Sequence, residues 1–384
     1  MIRRVLAPNR RGGKGEVLAI DHLVPLSLEC GAIPIVCARL RRCLIGKQIK
    51  PFLAKEDLLS YIDAIVRVYN LKGRRDNKYK ARIKILVQAM GIDAFRELVD
   101  AEWEHTKNSD LQLPAEEIQR IQDFFKPHNY DASAAEDTSL EAKLAEDSDF
   151  AAWYRQNTHD HKVDGYRAVV VSLKDHLKPK GDVTDSQMDL VADLADQYSF
   201  GEVRSTHNQN LVLADVQKGL LYELWKTLAD AGLARANIGT LTDMTVCPGG
   251  DFCALANAKT LGIADEIDKK FDDLDYLYDL GEIKLNMSGC INACGHHHIG
   301  HIGILGVDRR GEDWYQITLG GSDREDTSLG KVLGKSVAGE EVADTIEKII
   351  NVYVDQRIEG ERFIDCYRRI GAAPFKENVY AAAN

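Results

Sequence analysis

Four cysteines stand out by spacing: Cys247 and Cys253 enclose five residues, Cys290 and Cys294 enclose three, and 36 residues separate the pairs. Four thiolates from two loops are the ligand set that a cubane [4Fe–4S] cluster requires. A structural zinc is the rival reading, but zinc knuckles usually pair cysteines two to four residues apart, and the longer first gap fits them poorly. Four unrelated buried thiols are the plain alternative. The neighbours favour the cluster: Pro248-Gly249-Gly250 beside the first pair and Gly289 and Gly295 beside the second let backbone N–H groups approach the sulfides.

Both pairs sit at the ends of regular elements. The strands predicted nearby are Lys284 to Ser288, Ile302 to Val307 and Trp314 to Leu319; Cys253 is expected to open an Ala-rich helix, CALANAKTLG, and Cys290 and Cys294 to fill the loop after a strand. A closing helix over Glu340 to Gln356 carries Val342, Ile346, Ile349 and Tyr353 on one face. Upstream, Arg167 to Leu173 is a β-branched strand, and Thr184 with Gln187 forms a capping box ahead of a helix. Strands Glu202 to Thr206 and Leu211 to Ala214 flank a polar turn; Asp215 then caps a helix bearing Leu221, Leu224 and Leu228 that stops at Gly232. That order is most of a ferredoxin-like unit.

Further upstream, 54–70 and 76–106 read as helices, with a basic stretch between and around them: Arg67, Lys72, Arg74, Arg75, Lys78, Lys80, Arg82 and Lys84 against Asp76. Pro114 opens another short helix. Residues 127–150 hold seven acids and one base, too little apolar surface for a core, and mark a domain boundary. The basic stretch is a solvated helix face, a contact for cofactor carboxylates or a dock for an acidic electron donor.

Composition narrows the function classes. The chain has 384 residues and a net charge of −11, which argues against general nucleic-acid binding. Residues 1–50 nevertheless carry ten Lys/Arg against three Asp/Glu. No apolar run approaches the ~18 residues that cross a bilayer, and no apolar signal core follows Met1-Ile2-Arg3-Arg4, so a cytoplasmic protein with reduced thiols is expected. Cys30, Cys37, Cys43 and Cys366 are scattered and read as structural thiols. His296, His297, His298 and His301 invite a metal reading, but a run directly after the cluster loop reads better as packed side chains, with proton delivery the lesser option.

The segments TVCPGGDFCALANAKT (245–260) and KLNMSGCINACGHHHIGHIGILGVD (284–308) closely resemble the sirohaem-binding signature of nitrite/sulfite reductases. The resemblance extends to THNQNLVLADV (206–216) and GRRDNKYKARIKILVQAMG (73–91), covering about 44–384. It implies an α+β fold: a remnant of a first half (44–110), an acidic linker (111–150), a ferredoxin-like half-domain (151–235) and an α/β sirohaem and 4Fe–4S domain (236–384). It also implies a [4Fe–4S] cluster on Cys247, Cys253, Cys290 and Cys294, sirohaem iron bound by Cys294, and a turn with Asn208 and Asn210 facing the macrocycle. The implied reaction is six-electron reduction of sulfite to sulfide, with nitrite to ammonia, or a non-catalytic cofactor-binding fragment, as the alternatives. Ferredoxin or a separate flavoprotein is the expected donor; neither nucleic acid nor membrane is an expected partner.

The chain departs from that family in its first part. Residues 1–43 resemble nothing in it and suggest a foreign start or an altered reading frame in a truncated gene. Much of the family's basic anion-binding surface belongs to the first half, so weak catalysis is expected from this chain alone, restored by an intact upstream half.

Overall fold

The computed structural model describes residues 44–381, save 79, 137 and 177, together with the short strand at 26–27; the atypical start, with Cys30, Cys37 and Cys43, otherwise lies outside the described residues. Two compact units are present, one ending at His128 and one running from Asn129.

In the first unit β1 (Leu26–Ser27) pairs antiparallel with β2 (Gln48–Lys50), followed by α1 (Leu58–Lys72), α2 (Ile83–Met90), α3 (Ile92–Thr106) and α4 (Ala115–Phe124). The single helix expected over 76–106 is instead two helices, because Gly91 ends α2 with its N–H on Val87 O and α3 begins beyond it. The basic residues 73–82 lie in the loop before α2, where Arg74 pairs with Asp76 and Arg75 reaches the Asn70 side chain. Crowding like charges on one helical face would cost energy that an open loop avoids. The buried stripe of α1 is Tyr61, Ala64, Ile65 and Val68, while Ile62 and Val66 are exposed.

The second unit opens with α5 (Ser139–Glu146) and α6 (Ser148–Asn157), where the sequence suggested a bare acidic connection. Alternation explains the difference: acids line the outside while Leu140, Phe150 and Trp153 enter the core. Asp147 caps α6, accepting from the N–H groups of Asp149 and Phe150.

Next come β3 (Thr158–Asp160), β4 (Tyr166–Val171), α7 (Asp185–Tyr198), β5 (Arg204–Ser205), β6 (Leu211–Gln217) and α8 (Leu221–Asp230), with an antiparallel sheet in the order β3-β4-β6-β5. The Thr184–Gln187 capping box is present. Leu221, Leu224 and Leu228 pack against Val169, Val171 and Leu213 of the sheet. Asp215 is no helix cap: it lies within β6, buried, where it accepts from Tyr130 Oη at 2.7 Å and sits 3.1 Å from His161 Nε2.

The rest is a larger layer built from β7 (Thr245–Val246), α9 (Leu261–Lys270), α10 (Leu274–Leu280), β8 (Leu285–Ser288), β9 (Ile302–Arg309), β10 (Glu312–Leu319), β11 (Lys331–Val332), β12 (Val337–Ala338), α11 (Val342–Gln356), α12 (Phe363–Ile370) and α13 (Ala373–Tyr380). Its sheet runs β11-β10-β9-β8-β7, with β12 also on β10. The pairs β7–β8 and β8–β9 are parallel, and the C-terminal ends of β7 and β8 lead into the two cysteine loops. Ile346, Ile349, Ile350 and Tyr353 of α11 cover Ile302, Ile304 and Ile317, a continuous core beneath the loops.

Candidate functional site

Cys247 follows β7 directly and is fixed by two main-chain contacts: its N–H donates to Met287 O at 3.0 Å, and Thr260 Oγ1 donates to its carbonyl. The chain then turns so that Cys253 N–H reaches Gly249 O at 2.8 Å. Residues 253–260 are not the Ala-rich helix expected from CALANAKTLG; they fold back as a loop, and the helix starts at Leu261. Competing partners explain this: Gly250 N–H bonds Ala258 O, Asn257 and Ala258 both donate to Gly289 O, and Asp251 accepts from Thr260 and Leu261 at the start of α9. The helical alternative would break those cross-loop bonds, which bring Cys253 beside the second pair.

Cys290 and Cys294 occupy the turn after β8. Ala293 N–H reaches Cys290 O at 3.1 Å, Gly295 N–H donates to Ser288 Oγ at 3.1 Å, and Asn286 Nδ2 donates to Gly295 O at 3.0 Å. Ala293 and His296 both hold positive φ (59° and 56°), a backbone cost tolerated where surrounding contacts over-determine the loop. Cys247 and Cys290 are buried, Cys253 is half-buried and Cys294 is exposed.

The four sulfurs act on one another. Burial pushes the Cys294 thiol up, and the neighbouring Cys247, Cys290 and Cys253 add to the effect. Such crowding disfavours thiolates until a positive metal core lies among them, when the same crowding becomes a ligand set. The backbone fits a group of that size and charge. A Cβ on Gly289 would lie 2.6 Å from Gly249 Cα, and one on Gly295 only 1.8 Å from Met287 O, so the two cysteine loops meet through main chain. Phe252, Leu255 and Ile291 remain exposed around the loops, an apolar collar beside Cys253 and Cys290.

The histidine run does not form a helical face, because residues 296–301 are turns leading into β9. His297 is buried with neither ring nitrogen hydrogen-bonded, and burial holds it well below the usual imidazole range. His301 Nδ1 accepts from Lys284 N–H at 3.2 Å, and burial takes its pKa down to about 4. Between roughly pH 6.5 and 4 the unfolded chain therefore gains a proton at this position that the folded chain refuses, so stability falls as pH falls across that window. His301→Gln, which keeps an acceptor for Lys284, is expected to recover about 3 kcal/mol of that acid-side loss. Denaturant midpoints of both proteins at pH 7 and pH 4.5 check it; parallel pH dependence in the two would refute it.

The turn 207–209 separates its residues' roles. Asn210, expected to face a cofactor, is buried and its amide is committed to protein: Nδ2 donates to Asp243 Oδ1 at 2.9 Å and Oδ1 accepts from Leu173 N–H at 3.1 Å. Asn208 is half-buried, and its main-chain oxygen accepts from Lys174 Nζ at 2.6 Å. Sequence reading passed over Gln209, whose side chain clamps Val246 through both its N–H and C=O at 2.8 Å, and over the buried Lys174 and Asp243. A cavity of about 320 Å³ opens beside this turn, lined by Gln209, Val246, Pro248, Phe252 and Leu261 among others.

Comparison with known proteins now sets the class. The nitrite and sulphite reductase 4Fe-4S domain matches residues 38–107 and 239–384, and the nitrite/sulfite reductase ferredoxin-like half domain matches 160–231. The chain belongs to the nitrite/sulfite reductase family, a family of oxidoreductases. It is 29% identical over 310 residues to sulfite reductase [ferredoxin] 2 of Mycolicibacterium paratuberculosis, covering 78% of this chain and 49% of that protein. Against the chloroplastic ferredoxin–nitrite reductase of Betula pendula it is 25% identical over 311 residues, covering 77% and 46%. The fold matches the structure of the Mycobacterium tuberculosis NirA protein with a TM-score of 0.63 at 24% identity, over 87% of this chain and 56% of that one. The chain thus spans about half the length of the curated relatives it matches. Among the described residues no helix is long and apolar enough to cross a membrane.

Proposed function

We propose that Cys247, Cys253, Cys290 and Cys294 hold one [4Fe–4S] cluster, that Cys294 is shared with the iron of a sirohaem, and that the chain serves the six-electron reduction of sulfite. The observation that carries the reading is that the two cysteine-bearing loops leave adjacent parallel strands and are joined through main chain, Asn257 and Ala258 both donating to Gly289 O. The exposure of Cys294, alone among the four, suits a sulfur that must meet a second group outside the loop. When bound, the paired iron centres would supply single electrons to an oxyanion held in place.

The chain's own residues supply shape. Main-chain bonds hold the cysteine loops in place, and buried neutral imidazoles keep charge away behind the loop. Nitrite is the second reading, since nitrite reductases of Betula pendula and Haloferax mediterranei are among the relatives. A ferredoxin or a separate flavoprotein is the proposed electron donor.

Anaerobic purification followed by absorption and EPR spectroscopy is expected to show a macrocycle band together with a coupled cluster signal. Cys294→Ala should remove the coupling. Methyl-viologen-driven turnover, assayed with sulfite and nitrite separately, distinguishes the substrates. A wild-type protein with stoichiometric zinc and no acid-labile sulfide would overturn the cluster reading.

A further inference from the structure

The loop after β4 carries two lysines with fully buried side chains, Lys174 and Lys180. A buried ammonium is costly unless it is paired and fully hydrogen-bonded, so each marks a contact that apolar packing did not replace. Lys180 Nζ donates to Asp268 Oδ2 at 2.7 Å and to Asp175 O at 2.9 Å, while Arg235 grips the same Asp268 at 2.8 Å. That cluster ties the loop to α9.

Lys174 ties something different. Its Nζ donates to Asn208 O at 2.6 Å and to Met244 O at 3.0 Å, with Asp243 Oδ1 at 3.7 Å and Asn210 Nδ2 donating to that same carboxylate oxygen. Asn208 sits in the turn between β5 and β6, whereas Met244 immediately precedes β7, the strand that leads into Cys247. One cation therefore spans the ferredoxin-like layer and the strand delivering the first cysteine. The two-point clamp of Gln209 on Val246, one residue short of Cys247, reinforces the same junction. Directional contacts of this kind fix register, where an apolar interface would allow sliding.

We propose that Lys174 is a positioning residue for the cluster site: its ammonium holds the 207–209 turn and β7 in one register and thereby fixes the Cys247 sulfur. The functional consequence rests on the reading of Cys247 as a cluster ligand; the positioning itself does not. The cation acts through main-chain oxygens and touches no reacting atom.

The test uses the full chain with two variants, Lys174→Met/Asp243→Asn and Gln209→Ala. The double variant removes one positive and one negative charge, so it leaves neither stranded and nearly preserves the local field. In protein stripped of iron and reduced, alkylation of Cys247 by iodoacetamide is followed by peptide mass spectrometry, with the buried Cys366 as internal reference. Losing charge-assisted bonds that restrain a segment is expected to speed Cys247 labelling by about tenfold in the double variant, with Cys366 unchanged. Gln209→Ala should move the same rate in the same direction. In anaerobically reconstituted protein the g-values of the reduced cluster should shift as well. Wild-type labelling rates in both folded variants would overturn the proposal. Failure of wild-type protein to take up a cluster would overturn the function proposed above while the labelling rates still report on positioning.

Discussion

Cys290→Ser is expected to strip iron and acid-labile sulfide from the protein together, to about a tenth of the wild-type content or less. Disturbing a group that merely orients a metal ligand typically costs about 10-fold to 100-fold in affinity, and removing the ligand itself costs at least as much. Cys290 is the informative choice because it is buried at the end of β8, where water has poor access to replace the missing sulfur. Its partners Cys247, Cys253 and Cys294 should behave alike, since three sulfurs leave one corner of a cubane without its protein ligand. Cys366→Ala is the control: that thiol is buried in α12 beside Arg369 and Glu361, outside the two cysteine loops, and iron loading should be unaffected. Parallel loss of iron and sulfide in the four variants and retention in the fifth is the expected pattern. Iron retained in Cys290→Ser, or zinc replacing iron in the wild type, would defeat the assignment.

What the sequence revealed followed the range of the signal. The capping box at Thr184, the Leu221/Leu224/Leu228 face and the β-branched run before Leu173 are local patterns, and the structure contains each of them. The family was legible because two cysteine pairs with flanking glycines form a compact, specific string. Local reasoning failed where distant partners decided the outcome. Ala-rich residues after Cys253 have strong helical propensity, yet bonds to Gly289 and Gly250 hold them as a loop. Asp215 follows a strand pattern and looks like a cap, but Tyr130 and His161 draw it into β6. Lys174, Asp243 and Asn210 meet from three separate segments, a junction with no periodicity to betray it. Acidic composition likewise hid Phe150 and Trp153, which carry much of the half-domain core.

Gly295→Ala is expected to abolish cluster loading and to destabilise the protein by more than about 3 kcal/mol, a larger effect than its single added methyl suggests. Most point substitutions cost about 0.5 to 3 kcal/mol, and values beyond that range require a specific mechanism such as overpacking against atoms that cannot move. Here that mechanism is visible: the new Cβ would lie 1.8 Å from Met287 O and 2.7 Å from Met287 C, both main-chain atoms of β8, with Cys247 N at 3.2 Å. No rotamer relieves a clash between Cβ and backbone. The loop must lift, which breaks Gly295 N–H to Ser288 Oγ and Asn286 Nδ2 to Gly295 O and draws the adjacent Cys294 away from the other three thiols. Gly262→Ala separates this from a general intolerance of substitution. It lies in the first turn of α9 with nothing within 4 Å of the new methyl, and alanine there should leave loading intact and add up to about 1 kcal/mol of stability. Iron and sulfide content with denaturant midpoints for the two variants decides the matter: Gly295→Ala with full cluster and wild-type stability would mean that close main-chain contact between the two loops is not what gathers the four sulfurs.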